Sequence, residues 1–175
     1  MKAFNTWAKQ HFSGIAIQAP QAIAAGQSFE LQGPTGENNQ YAILARKGVL
    51  SLANNDADQL NQIAAILSVG SQPVVLADNT FVLKHLNSMP KILVDQFKVI
   101  TDIYHGNFDA VLHHGEKAEL LKIQQVIASR EGAIIGITHL ASGQYDIPVE
   151  RFVIERATSV NTAAAGGNAS LMTMN

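Results

Sequence analysis

The adjacent histidines of His113-His114-Gly115 are the first place to look for chemistry in this chain. Imidazole both ligates metals and carries protons near neutral pH. Successive residues at a strand end point to opposite sides of a sheet, so the two rings cannot share a metal without distortion. No third ligand stands at a recognisable spacing, and a structural or surface role is the plainer reading. Nucleophilic chemistry has less behind it. There is no cysteine, hence no thiolate, disulfide or cysteine metal site. No Gly-x-Ser-x-Gly elbow occurs, and Ser71 and Ser170 have no local base partner. Asn168-Ala169-Ser170 matches a glycosylation triplet, but no secretory signal accompanies it. Gly166-Gly167 could form a backbone anion nest, although flexibility explains the pair as well.

The elements that would position these residues read as strands alternating with helices. Lys2–Phe12, with Phe4, Trp7, Ala8 and Phe12 at helical spacing, predicts a short amphipathic helix. Phe29–Gln32 and Tyr41–Arg46, around the turn Gly33-Pro34-Thr35-Gly36, predict a hairpin. Val49–Ala53, Pro73–Ala77, Phe97–Thr101, Phe108–Leu112 and Ala133–Ile137 are short apolar strands. Between them lie a helix carrying Leu60, Ile63, Ala64 and Leu67, capped by Asn54-Asn55-Asp56, a short helix over Thr80–Asn87, and a long helix over Glu116–Arg130. Ile147–Phe152 suits a helical turn and Val153–Thr162 a last strand. Near-continuous apolar strands point to a parallel sheet covered on both faces. A dinucleotide site in such a sheet needs a glycine loop after its first strand. Here that place reads Asn54-Asn55-Asp56-Ala57-Asp58, with no glycine and two carboxylates that would repel phosphate.

Composition narrows the classes further. The chain has 175 residues, 47% hydrophobic and 15% charged, which suits one ordinary globular domain. A net charge of −2, with only Arg46-Lys47 adjacent among its basic residues, leaves no electrostatic footprint for nucleic acid or an anionic membrane. Neither a signal peptide nor a membrane span is visible, which leads us to expect a cytoplasmic protein.

The chain ends Ser159-Val160-Asn161-Thr162-Ala163-Ala164-Ala165-Gly166-Gly167-Asn168-Ala169-Ser170-Leu171-Met172-Thr173-Met174-Asn175, without a charge or an aromatic ring. Ordering such a backbone costs roughly 1–2 kcal/mol per residue, while burying one Leu, Val or Met returns about 1.5–3. The tail cannot hold itself in place. This segment closely resembles the terminal motif of the proline utilization A family. The likeness runs from about Gly33 and includes Gly33-Pro34-Thr35-Gly36-Glu37, Asp109-Ala110-Val111-Leu112-His113-His114-Gly115, Ile147-Pro148, Glu150-Arg151 and Ile154-Glu155-Arg156.

That resemblance carries implications of its own. Members join an FAD proline dehydrogenase to an NAD-dependent glutamate-semialdehyde dehydrogenase and pass the intermediate through a tunnel; longer members carry an extra C-terminal domain, which this chain is similar to. The implied fold is α/β, a Rossmann-like parallel sheet resembling a truncated aldehyde dehydrogenase, with a β-flap and an extended tail. The divisions would be a helical lead-in or linker (1–27), a flap hairpin (28–46), the Rossmann-like layer (47–146), and a flap strand with the terminal motif (147–175). By the same likeness, the lysine that grips the cofactor is Ala77, the later glycine of the nicotinamide loop is Leu120, and the general base falls at or beside His139. The stretch holding the catalytic cysteine is missing. The resemblance therefore implies a domain with no catalytic, cofactor or metal residues, its FAD and NAD belonging to the parent enzyme. Its implied partner is the parent's aldehyde dehydrogenase domain, with homo-oligomerisation through the flap as a further possibility. Ser159–Met172 would help close the tunnel. The alternative is a regulatory domain that binds a nucleotide or metabolite.

Overall fold

Phe4, Trp7 and Ala8 lie on one helical stripe, and burying that stripe is what holds the first helix. The computed structural model describes residues 2–18, 23 and 25–162 of the chain. In it α1 (Lys2–His11) presses Phe4, Trp7 and Ala8 into a cluster with Leu60, Ile63, Ala64, Val75, Phe81 and Leu93. The lead-in thus supplies part of the core.

Two strands follow, β1 (Ser28–Leu31) and β2 (Glu37–Ala45), antiparallel with Phe29 opposite Tyr41. The chain then enters a second sheet through β3 (Val49–Leu52), α2 (Asp56–Ser68), β4 (Pro73–Leu76), α3 (Thr80–His85), α4 (Lys91–Val94) and β5 (Lys98–Ile100). It returns through β6 (Ala110–His114), α5 (Lys117–Ala128) and β7 (Gly136–Leu140). All five strands are parallel, in the order β5-β4-β3-β6-β7. Val49–Leu52 and Ala110–His114 are buried at every position, the pattern of strands covered on both faces. A 3-10 turn over Val149–Phe152 leads into β8 (Val153–Asn161), which pairs with β2 along its whole length, from Ala45 opposite Val153 to Glu37 opposite Asn161. The three flap strands expected from the sequence therefore form one separate sheet, β1-β2-β8.

Several strand and helix readings need correction: β2 begins at Glu37, four residues before the expected Tyr41, and α3 ends at His85. The sixth strand spans Ala110–His114, two residues beyond the expected Phe108–Leu112, because Phe108 belongs to the loop packed beneath the sheet. The seventh spans Gly136–Leu140 instead of Ala133–Ile137, and Ile134 is fully exposed ahead of it. An apolar run alone does not set a strand's register; pairing with β6 does. The four-residue α4 carried too little periodicity to be read. On α5 only Ile127 is buried outright, and Leu121 is half exposed.

The faces of the sheet are unequal. Helix α2 is buried from Asp58 to Leu67, lying between the sheet and α1. The opposite face carries α5 and the loop from 101 to 109. Arg130 pins that loop, donating to the carbonyls of Ile103 and Gly106 with its guanidinium 4.4 Å from the Phe108 ring centre.

The flap is fastened where β2 and β8 leave the layer. Arg46 donates through Nε to the Arg151 carbonyl (2.9 Å) and through Nη1 to that of Asp109 (3.2 Å). The Ser71 hydroxyl accepts from the Arg46 amide (2.9 Å) and donates to the Phe152 carbonyl (2.6 Å). The Asp109 carboxylate receives the amides of Lys47 and Gly48. Ser71, which had no base partner in sequence, is a hinge-pin residue.

Candidate functional site

In an open parallel sheet, the crevice beyond the carboxyl ends of the strands, where strand order reverses, is the usual ligand site. Here that point lies between β3 and β6, and a cleft of about 360 Å3 opens there, lined by Asn54, Leu76, Asn79, His113, Glu119 and Lys122 among others. Strand pairing sets His113 opposite His139, and the rings stack with centres 5.1 Å apart and Nδ1 atoms 3.0 Å apart. One of these nitrogens donates and the other accepts. On its far side, His113 Nε2 is 3.7 Å from Glu119 Oε2. Burial holds the His113 imidazole below its ordinary pKa, reinforced by His139 and opposed by Glu119. Glu119 is held below the usual carboxylate range by the Asn54 amide, by the Glu116 amide and by His113.

Glu119 and Glu116 close a capping box on the first turn of α5. The helix end that would cradle a phosphate is therefore occupied by the chain's own carboxylates. Gly115 makes this compact arrangement possible: a Cβ there would sit 2.8 Å from His113 Nε2 and collide with Glu119 Oε2. Among the described residues no Ser or Thr lines the cleft beside its imidazole.

His114 points to the opposite face, as strand alternation requires. It is fully buried at the end of a polar chain. The Asn79 amide donates to Gln59 Oε1 (3.1 Å), Gln59 Nε2 to the Ser51 hydroxyl, and that hydroxyl to Gln62 Oε1. Gln62 Nε2 then donates to the Leu52 carbonyl and to His114 Nδ1, both at 2.8 Å. His114 Nδ1 is thus an acceptor, so its proton sits on Nε2 and goes to the Gln144 carbonyl (2.7 Å). Bonded through both ring nitrogens, it is a structural strut. Among the described residues no group of three or more His, Asp or Glu side chains is placed to hold a metal.

The remaining expected positions fall into place around this frame. Asn55 caps α2, its side chain accepting from the Asp58 amide (2.8 Å). Asp58 is buried, and burial alone would raise its pKa. Hydrogen bonds from Ser142, the Gly143 amide and Asn55 bring it below the ordinary value. Ala77 follows β4 with its amide bonded to the Ile100 carbonyl, and Leu120 is half-buried on α5. The turn Gly33–Glu37 and the start of the terminal motif, far apart in sequence, meet at the flap's outer tip. Glu37, Asn38 and Asn39 lie opposite Asn161, Val160 and Ser159, and the Thr162 amide donates to the Gly36 carbonyl at 2.7 Å. Gly36, at φ +92°, takes a turn conformation that side chains resist. The expected contact residues Ala163–Met172 lie outside the described residues.

Sequence reasoning missed the Ser51–Gln59–Gln62–His114 chain and the Asp58 clamp. The available signal was Asp58, Gln59, Asn61 and Gln62, four polar residues inside an otherwise apolar helix.

No family model matches the chain. Among curated proteins it is 37% identical over 178 residues to the Bifunctional protein PutA of Escherichia coli and 39% identical over 178 residues to that of Salmonella typhimurium. Each match covers 99% of this chain and 13% of the relative, so the likeness includes the residues before Gly33. The chain spans about an eighth of those relatives' length. Among solved structures, a mutant of Bradyrhizobium japonicum Proline Utilization A matches 81% of the chain and 15% of its own length, at 19% identity and a TM-score of 0.50. That match concerns the fold.

Proposed function

The chain is related over nearly its whole length to a domain of the PutA proteins, and on that footing we propose that it is a non-catalytic structural domain of a proline-catabolic enzyme. It docks through the β1-β2-β8 flap on an aldehyde dehydrogenase domain of the longer chain, and Ser159–Met172 help close a substrate-channelling tunnel there. The longer cytoplasmic enzyme oxidises proline with FAD and the resulting semialdehyde with NAD, giving glutamate. The domain described here holds neither cofactor.

One observation carries the docking reading. The flap projects from the core with Phe29, Leu31 and Val160 exposed by 41%, 50% and 53%. Every residue of β1, and every residue of β8 beyond Ile154, is exposed. Three strands buried only toward their root, around Ile43 and Val153, leave their outer part with no apolar cover, and a partner surface supplies what is missing. The same tip carries the Gly33–Glu37 turn and launches the terminal motif. The test is to delete Ala163–Asn175 in a full-length protein carrying this domain and assay both half-reactions and the coupled reaction. Semialdehyde oxidation should fall while proline oxidation persists; unchanged coupled flux with no lag in NADH formation refutes the role.

The cleft at the end of β3 and β6 favours a second reading, a regulatory site for a nucleotide or metabolite. Its capping carboxylates oppose a phosphate. Saturable heat on titrating NAD into the isolated domain would favour this reading over the first.

A further inference from the structure

Among the described residues the two sheets have four free edges, and three of them bear permanently charged side chains: Glu30 on β1, Glu155 and Arg156 on β8, and Lys98 on β5. Such charges are a common guard against stray strand pairing. The fourth edge, β7, has none, nor does the Gly132–Ile135 segment leading into it. Gly136 on this edge has open space where a side chain would stand, with no atom of the described residues within 4 Å, so another backbone can approach.

The edge is flanked by a hollow on each face. On the α5 side, about 440 Å3 is lined mainly by Ile127, Ala128, Ile134 and Ile135, with Gln124 and Arg130 at its border. On the α2 side, about 330 Å3 is lined by Arg46, Thr138 and Arg151. Arg46 spends its bonds on backbone carbonyls, and the Arg151 guanidinium has no hydrogen bond or ion pair among the described residues. Neither guanidinium is within ion-pair distance of a described carboxylate; the nearby Asp109 carboxylate is turned to the Lys47 and Gly48 amides. A strand added to β7 would send alternate side chains into these two hollows.

The geometry points to the β7 edge as a strand-addition site for an extended polypeptide segment from outside this chain, with branched apolar and acidic side chains in alternation. Apolar residues fill the isoleucine hollow, and carboxylates between them meet Arg46 and Arg151. A second copy of this chain is the poorer occupant, because its own β7 would present Gly136 and Thr138 to the arginines and no carboxylate. This surface meets the flap only at its root, through Arg46 and Arg151, and does not depend on the docking role of the flap.

The test titrates isotope-labelled protein with a capped hexapeptide of alternating valine and glutamate, followed by amide NMR. A valine–lysine hexapeptide is the control. The expected result is saturable shifts confined to Ala133–Leu140 and the facing end of α5, with the lysine peptide at least about tenfold weaker. Arg151→Glu should abolish or invert that preference, and Ile134→Glu should weaken both peptides. Both positions are exposed, so the variants keep their fold, which their unperturbed remaining spectra verify. Equal binding of the two peptides, shifts elsewhere, indifference to Arg151→Glu, or no shift at millimolar peptide would overturn the proposal. Concentration-dependent shifts at β7 without peptide would instead assign the edge to a second copy.

Discussion

Replacing Ser51 by alanine removes one oxygen atom from a fully buried site and leaves the packing shape nearly intact. That oxygen receives the Gln59 Nε2 proton and donates to Gln62 Oε1, both contacts at 2.5 Å. Gln59 and Gln62 are themselves buried, and neither of these two atoms has another hydrogen-bond partner given by the geometry. Ser51→Ala therefore strands one donor and one acceptor away from water. Each orphan costs about 1–3 kcal/mol, so the variant should lose roughly 2–5 kcal/mol. For a chain of this size 1 kcal/mol moves the melting temperature by about 2–4 °C, so a fall on the order of 5–15 °C is expected. Urea denaturation and calorimetry of the two proteins measure it. The control is the same substitution in a Gln59→Leu/Gln62→Leu background, where neither partner of the Ser51 hydroxyl remains to be stranded by it and the further loss should shrink below about 1 kcal/mol. A loss under about 0.5 kcal/mol in the natural background, or equal losses in both, refutes the chain of bonds as drawn.

Arg46→Ala should loosen the flap at its root, costing about 1–3 kcal/mol for two charge-assisted bonds to the Arg151 and Asp109 carbonyls, and should speed amide exchange at Leu44, Ala45 and Val153 before the five-stranded sheet responds; uniform exchange across both sheets would contradict this. Gly115→Ala should destabilise by about 1–3 kcal/mol, since its Cβ has no room beside His113 and Glu119, and a neutral result in urea denaturation would show the approach is looser than described. Stability should fall in two stages on acidification. His113 has a folded pKa below its unfolded value of about 6.5, so its contribution is complete above that value and drains away as pH drops toward the folded one. Asp58, also depressed, contributes above about pH 4 and loses its contribution as pH falls through its own folded value. Urea midpoints across pH should show the upper stage vanish in His113→Phe and the lower one in Asp58→Asn; an unaltered profile in either variant contradicts the assignment.

Much of this protein was written in local pattern. The Phe4–Trp7–Ala8 stripe, the Asn55 cap, the apolar runs of β3, β4 and β6 and the Gly/Pro turn at Gly33–Gly36 each act over a few residues, where spacing and backbone preference decide the outcome. The absence of a cysteine leaves this chain no thiolate of its own, and the separate sequence motifs carried the kinship. What no window of sequence contained is register and company. Which residues of Ala133–Leu140 form the strand depends on where β6 lies, and that pairing set His139 against His113. Polar residues on an apolar helix look like misfits until Ser51 and His114 arrive from two strands to satisfy them. The turn at Gly36 and the amide of Thr162, 126 residues apart, meet because nine residues of β2 and nine of β8 pair along their full length. Long-range hydrogen bonding and burial are properties of the assembled chain, and only the assembled chain decided them.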